Sequence, residues 1–128
     1  ASDWSSDVCS SDLAIRCNNP VELDRALLST GFHYRQEIRK IEVEQFNKLI
    51  LKVRDIRRIG SAAMDICNVA SGIVDGYFEM GLYPWDRDAA GLIASEAGAK
   101  VTVSGDLTLA AGPYLHRNIE AILSGTHQ

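Results

Sequence analysis

The sequence predicts a layered α/β/α domain in which helices cover both faces of a mixed sheet of about five strands. Short apolar segments typical of strands alternate with longer segments whose apolar residues recur at helical spacing. The composition suits a packed core, because 46% of the 128 residues are hydrophobic and 23% are charged. These observations predict a single α/β unit over residues 14–128.

The first thirteen residues break this pattern. They are rich in Ser and Asp, and residues 3–13 match the in-frame translation of a common sequencing adapter. We interpret residues 1–13 as a non-native, disordered tail that takes no part in the fold. On this interpretation the natural protein is longer, and its N-terminal part is absent from this chain.

The first half of the domain predicts two strands that flank a long helix. Residues 15–17 give a weak strand signal, and a short helical turn follows at 20–26. Residues 26–29 form a short apolar run and are predicted as a strand. Residues 35–51 predict a helix with apolar residues on one face and charges on the other, and the imperfect alternation of 53–59 predicts a second strand.

The second half begins with a helix that we expect to be central. The apolar residues of 61–71 cover most of a helical circumference, so this helix is predicted to be buried and to end at Gly72. Residues 73–79 are predicted as a strand, and residues 85–97 as a helix that ends at Gly98. Two strands and a last helix complete the domain: residues 101–103, 107–111 and the segment from Pro113.

Charge and cysteine content exclude several classes of protein. The chain has 13 Lys and Arg against 17 Asp and Glu, so it lacks the basic surface of a nucleic-acid-binding protein. No apolar run is long enough to span a membrane. The three cysteines form no Cys-x-x-Cys pair, which favours a reducing, cytoplasmic setting over a disulfide framework or a zinc site.

Two motifs at the ends of predicted elements are candidates for ligand binding. Gly60, Ser61 and Ala62 stand where a strand turns into a helix, whose free N–H groups suit an anion or a polar ligand; the alternative is a plain Ser-capped helix. Glu79 ends an apolar strand, at the edge where α/β sheets bind ligands; the alternative is a solvated charge.

Asp86 is the third candidate, at the start of the helix that follows Pro84. Its carboxylate suits Mg²⁺, which proteins hold through one or two carboxylates and substrate phosphate, but it also suits a helix cap. Asp88 is expected at the surface, where it can reinforce a site at Asp86. Asp65 is expected to be a helix-cap charge and Cys67 a core residue. A cluster of three arginines favours a solvated or interface patch over a phosphate-binding site: Arg54, Arg57 and Arg58.

Four segments together resemble the C-terminal half of the inositol monophosphatase family. They are residues 58–67 (RIGSAAMDIC), 74–79 (VDGYFE), 84–86 (PWD) and 89–91 (AAG), and the EAGA run at 96–99 matches the usual continuation. The resemblance covers nearly all of residues 14–125 and is most specific over 60–98, where motif order and spacing agree. The chain departs from the family at Arg87 and Asp88, where most members have apolar or small residues.

The resemblance implies a Mg²⁺-dependent phosphomonoesterase that hydrolyses inositol monophosphate. In such enzymes, metal ions activate a water molecule and stabilise the phosphoryl oxygens. Asp86 matches the family's metal-ligating aspartate, which is also catalytic and lies near the substrate hydroxyl. Glu79 matches the carboxylate that binds inositol hydroxyls. Gly60, Ser61 and Ala62 match the segment that lines the substrate with main-chain groups. The resemblance also allows a homodimer of the full-length protein.

The family's remaining metal ligands do not occur in this sequence. They are a Glu and an Asp-Pro-Ile/Leu-Asp-Gly-Thr motif in the N-terminal half of family members, and this chain has no such motif. We therefore expect the chain alone to be inactive. Two alternatives stay open: a relative that hydrolyses another phosphate ester, such as fructose bisphosphate, histidinol phosphate or an adenosine bisphosphate, and a non-catalytic α/β module for binding or dimerisation.

Overall fold

A computed structural model describes residues 15–124 and contains a five-stranded mixed sheet between two pairs of helices. The strands are β1 (Leu27–Thr30), β2 (Asp55–Arg58), β3 (Gly76–Met80), β4 (Lys100–Ser104) and β5 (Leu107–Ala111). The helices are α1 (Gln36–Ile50), α2 (Ala62–Ala70), α3 (Pro84–Glu96) and α4 (Pro113–Leu123), with a short 3-10 helix at Leu23–Arg25. The predicted α/β fold class is confirmed. The predicted tail of residues 1–13 lies outside the described residues.

The order of strands in the sheet is β2-β1-β3-β5-β4. β1 lies parallel to both β2 and β3, whereas β5 is antiparallel to β3 and β4. Because three parallel strands share one direction, their carboxyl ends meet at one edge of the sheet. Open α/β sheets bind ligands at such an edge. Gly31, Gly60 and Glu79 all lie there, so the fold gathers two of the predicted motifs.

Each face of the sheet has its own apolar cluster. On one face, α1 and α4 pack against side chains such as Leu28 and Phe78. On the other face, α2 and α3 pack closely together over Tyr77 and Val74. The alternation of Tyr77 and Phe78 between the two clusters is the period of two that a doubly covered strand requires.

Two glycines end helices α2 and α3 as predicted. Gly72 and Gly98 have φ values of +82° and +96°, a backbone conformation that glycine adopts without strain. After α2, the N–H of Ile73 donates to the carbonyl of Asn68 at 2.9 Å, which completes a Schellman motif. The end of α3 is closed in the same way, by the N–H of Ala99.

The structure corrects two details of the sequence prediction. Residues 15–17 do not form a strand; instead, the N–H of Cys17 donates to the carbonyl of Ala97 at the end of α3. Helix α2 is not buried all round, because Ala63 and Met64 are exposed while Ile66 is completely buried. Only the side that meets α3 and the sheet is covered. Within residues 15–124, helices are too short or too polar to cross a membrane.

Candidate functional site

The Gly60-Ser61-Ala62 motif forms the turn from β2 into α2. Gly60 has a φ of +99°, which turns the chain away from the strand. Ser61 is the N-cap of α2, and its Oγ accepts a hydrogen bond of 3.3 Å from the N–H of Met64. Ser61 therefore caps the helix, as the alternative interpretation of this motif predicts. A helix start leaves its first N–H groups without intrahelical partners, so those of Ala62 and Ala63 remain suited to a ligand.

Glu79 lies near the carboxyl end of β3 and is half-buried. The hydroxyl of Tyr77, two residues earlier on the same face, donates a hydrogen bond to Glu79 Oε1. Gly31, which follows β1, lies directly against the same carboxylate. Glu79 is thus held at the sheet edge by Tyr77 and beside Gly31, and part of its side chain still meets solvent.

The charges around Glu79 show which elements face it. Burial raises the pKa of the Glu79 carboxyl, whereas the hydrogen bond from Tyr77 lowers this pKa. The negative charges of Glu42 and Asp86 raise the pKa further, and the positive charge of Arg58 lowers it. Side chains from α1, α3 and the end of β2 therefore surround the end of β3 closely enough to act on it.

Asp86 is the third residue of α3 and is half-buried. Its Oδ2 accepts a hydrogen bond of 3.1 Å from the N–H of Tyr83, so this carboxylate also caps the helix. The neighbouring Arg87 donates to the carbonyl of Leu82 at 3.0 Å. Asp88 is exposed, with its carboxylate 3.9 Å from Arg87 Nε. The unusual Arg87-Asp88 pair is thus held within the α3 start, and no described contact carries Asp88 into the site.

The structure brings some of the predicted site residues together. The charge of Asp86 raises the pKa of Glu79. The start of α2 reaches Glu79 through Asp65, whose pKa the Glu79 charge raises. Among the described residues, no hydrogen bond joins Ser61 directly to Glu79 or Asp86. Charge thus links Glu79 with Asp86 of α3 and with Asp65 of α2.

Asp65, a polar residue of this region, does not lie where the sequence predicts it. It is not a cap charge: only 1% of it is exposed, and it faces the sheet beside Ser29. Burial raises the pKa of Asp65 to about 7, and the neighbouring Ser29 hydroxyl opposes this shift. Asp65 Oδ1 and Ser29 Oγ have no hydrogen-bond partner of good geometry within the described part of the chain. The spacing of Asp65 and Val69, one helical turn apart, was the available signal.

The arginine cluster and Cys67 lie close to where they were expected. Arg54, Arg57 and Arg58 are exposed, as a solvated patch requires. Arg58 nevertheless acts on Glu79 through its charge. Cys67 is half-buried and packs against the apolar cluster under α2 and α3.

The donor chemistry of the region suits a hard cation, but the set is incomplete. Carboxylate oxygens of Asp86 and Glu79 are the ligand type that Mg²⁺ prefers. Within residues 15–124, His, Cys, Asp and Glu form no group of three or more placed to hold a metal ion. Mg²⁺ commonly keeps several waters and uses one or two protein carboxylates, so the described residues fit part of such a site.

A comparison with family models decides the classification. The model of the inositol monophosphatase family matches residues 2–125. The chain belongs to the inositol monophosphatase family. The match begins within the segment predicted to be an adapter remnant, and that origin stays a prediction.

Curated members of the family resemble about two thirds of the chain. An inositol-1-monophosphatase SuhB of Mycobacterium tuberculosis is 49% identical over 90 residues, which are 70% of this chain and 31% of the relative. A protein of Pasteurella multocida named Nus factor SuhB is 44% identical over 91 residues, or 70% of this chain and 34% of that relative. The chain thus spans about a third of the length of these relatives.

Solved structures of the family share the fold. Mycobacterium tuberculosis SuhB has a TM-score of 0.80 at 44% identity, covering 88% of this chain and 46% of that structure. The inositol monophosphatase of Anabaena has a TM-score of 0.76 at 35% identity, covering 87% of this chain and 48% of that structure. The described domain therefore corresponds to about half of a family structure.

Proposed function

We propose that the complete protein is a Mg²⁺-dependent phosphomonoesterase acting on inositol monophosphate, and that this chain supplies its polyol-binding side. Family membership supports a phosphatase. The observation that carries the proposal further is that Glu79 and Asp86 come from two different elements at the same sheet edge, close enough for the Asp86 charge to raise the pKa of Glu79. Such a pair would suit a substrate whose hydroxyl groups donate to Glu79 and whose phosphate charge is neutralised by a Mg²⁺ held at Asp86.

The residues have separate roles in this proposal. Asp86 would be the catalytic metal ligand, through the carboxylate that already caps α3. Mg²⁺ would supply positive charge to the phosphoryl oxygens and lower the pKa of a bound water. Glu79 would accept hydrogen bonds from substrate hydroxyls, and the N–H groups at Ala62 and Ala63 would donate to polar substrate atoms. Gly60 and Ser61 would hold this helix start in place.

The site proposed for this chain is half of a working site. One metal-ligating carboxylate binds Mg²⁺ weakly, because this ion gives up its waters reluctantly. The other carboxylates would come from a preceding segment, in keeping with the share of the relatives that this chain covers. We therefore propose that the 128-residue chain alone does not turn over substrate.

Phosphate release measures this function directly. The complete protein should release phosphate from inositol 1-phosphate only when Mg²⁺ is present, whereas the 128-residue chain at the same concentration should release none. Fructose 1,6-bisphosphate, histidinol phosphate and adenosine 3′,5′-bisphosphate should be tested in parallel. If the protein hydrolyses one of these esters faster than inositol 1-phosphate, that ester is the preferred substrate instead. A complete protein inactive on all four esters would favour a non-catalytic binding or dimerisation module.

A further inference from the structure

Two neighbours define the position of the Glu79 carboxylate. Tyr77 and Glu79 alternate with Phe78 along β3, so both point to the face that α2 and α3 cover, and the Tyr77 hydroxyl donates to Glu79 Oε1. Gly31 follows the β1 residue that pairs with Phe78 and lies beside Glu79. A Cβ at residue 31 would be 2.5 Å from Oε1 and 2.8 Å from Oε2, which is closer than any real contact.

The two neighbours act in different ways. The ring of Tyr77 is completely buried, so its hydroxyl has little freedom to move. Burial also raises the pKa of Tyr77, which keeps the hydroxyl a hydrogen-bond donor at every physiological pH. The missing side chain of Gly31 leaves room for the carboxylate. Glu79 Oε2 takes no hydrogen bond from residues 15–124, so one oxygen is fixed and the other is available.

We propose that Tyr77 and Gly31 are positioning residues that fix the Glu79 carboxylate for hydrogen bonding to the hydroxyls of a polyol phosphate, and thereby set the preference for such substrates. This inference rests on the proposed function and assigns its specificity to two residues that do not themselves touch the substrate.

Positioning matters because a carboxylate on a free Glu side chain samples several rotamers. A carboxylate whose first oxygen is already held accepts a hydroxyl hydrogen bond at its second oxygen without a further loss of rotamer freedom. A site built to hydrogen-bond a hydroxyl also discriminates against esters that lack one, since its polar atom is then left unpaired. Loss of either neighbour should therefore weaken polyol recognition more than it weakens phosphate chemistry.

Two substitutions disturb Glu79 by separate routes. Tyr77→Phe removes only the hydroxyl and leaves the buried ring in place. Gly31→Ala adds a methyl group that collides with the end of a flexible side chain, so the carboxylate has to move while the backbone can stay. Each has a matched control. Tyr114→Phe removes a comparable hydroxyl bond to the carboxylate of Glu22, at 3.2 Å on the exposed surface.

The control for Gly31→Ala is a glycine-to-alanine change that meets no close atom. Gly91 lies in α3, and a Cβ there would have only Val101 Cγ1 at 3.6 Å, an ordinary contact. Gly91→Ala should fold normally and leave Glu79 undisturbed, so it separates a general effect of substitution from an effect on the carboxylate.

The test compares two esters in the complete protein with Mg²⁺. Selectivity is kcat/KM for inositol 1-phosphate divided by kcat/KM for p-nitrophenyl phosphate, whose leaving group has no polyol hydroxyls. Tyr77→Phe and Gly31→Ala should each lower this ratio about tenfold, mainly through KM for inositol 1-phosphate. Tyr114→Phe and Gly91→Ala should keep the ratio of the unsubstituted protein.

A second measurement on the 128-residue chain needs no catalysis. Carbon-13 NMR of the Glu79 carboxyl should show an upward shift of its pKa in Tyr77→Phe, because the hydrogen bond that lowers it is gone. Tyr114→Phe should leave that pKa in place. A selectivity ratio unchanged by both Tyr77→Phe and Gly31→Ala in an active enzyme overturns the positioning proposal and leaves the phosphatase standing.

Failure of the proposed function has a different signature. A complete protein that hydrolyses neither ester overturns the phosphatase assignment, and the selectivity proposal falls with it. In that case, an unchanged Glu79 pKa in Tyr77→Phe would also mean that Tyr77 does not donate the hydrogen bond on which the positioning rests.

Discussion

The Glu42 carboxylate accepts a hydrogen bond of 2.7 Å from the backbone N–H of His33. Its second oxygen accepts from the N–H of Met80 at 3.4 Å. Glu42 is buried in α1, and its two partners follow β1 and end β3. This one carboxylate thus connects the chain that follows β1 with the end of β3. Gly31 and Glu79 lie at these same two strand ends.

This double contact predicts that Glu42→Gln lowers stability. A Gln amide has one acceptor oxygen, so one of the two backbone N–H groups loses its partner, at a cost of about 1–3 kcal/mol. Urea unfolding followed by circular dichroism measures the change. Glu44→Gln, at an exposed position of the same helix, is the control and should change stability by less than about 0.5 kcal/mol. Equal effects of the two substitutions would show that the Glu42 contacts do not stabilise the fold.

Asp65 predicts a specific pH dependence of stability. Its pKa is about 7 in the folded chain against an ordinary value of 3.8, so the folded state keeps the proton to higher pH. Between these pH values the folded state binds more protons than the unfolded state, and stability falls as pH rises. Asp65→Asn removes this loss. As pH rises from 4 to 7, the free energy of unfolding of the variant should increase relative to that of the unsubstituted chain. The difference should reach up to a few kcal/mol, because one pKa unit corresponds to about 1.4 kcal/mol.

Urea titrations at several pH values test this linkage. Asp106→Asn makes the same change at an exposed position and is the control for the substitution itself. Parallel stability curves for Asp65→Asn and the unsubstituted chain would mean that Asp65 titrates normally in the folded state.

Ile66 tests the packing of α2 against the sheet. It is completely buried, so Ile66→Ala should reduce the free energy of unfolding by about 2–5 kcal/mol. Met64, on the exposed side of the same helix, is 37% exposed, and Met64→Ala should cost much less. Thermal unfolding of both variants gives the comparison, and a small effect at Ile66 would contradict the arrangement of this layer.

Removal of residues 1–13 tests the adapter interpretation. A segment of foreign origin contributes nothing to packing, so Tm should stay within about 2 °C of the value for the whole chain. Differential scanning calorimetry of the two chains measures this difference. A fall in Tm of 5 °C or more would show that these residues belong to the fold.

Local signals predicted most of the architecture because they act within a few residues. Ser61 was recognisable as a helix start, and Gly72 and Gly98 as helix ends, since capping depends on the adjoining turn. The family resemblance and the positions at element ends single out Glu79 and Asp86, whose roles in a site stay a prediction. The effect of the Asp86 charge on the pKa of Glu79 depends on the assembled sheet.

The contacts that sequence analysis missed join distant parts of the chain. Glu42 meets Met80 only because α1 packs beneath the sheet edge, which no local pattern encodes. Asp65 was predicted at a helix cap because it is polar. Its spacing of one helical turn from Val69 instead places both residues on the same face of the helix. The sequence prediction gives Tyr77 no role within the strand of residues 73–79, although its place two residues before Glu79 puts both side chains on one face.

The most direct test of the proposed site is Mg²⁺-dependent phosphate release by Asp86→Asn in the complete protein. Asn keeps the size of the side chain and a cap for the Tyr83 N–H, but it removes the negative charge that would hold Mg²⁺. Asp88→Asn, two residues later at an exposed position, is the matched control. Asp86→Asn should lower kcat/KM for inositol 1-phosphate about a hundredfold or more, while Asp88→Asn should keep it. Full activity of Asp86→Asn would mean that Asp86 does not hold the metal.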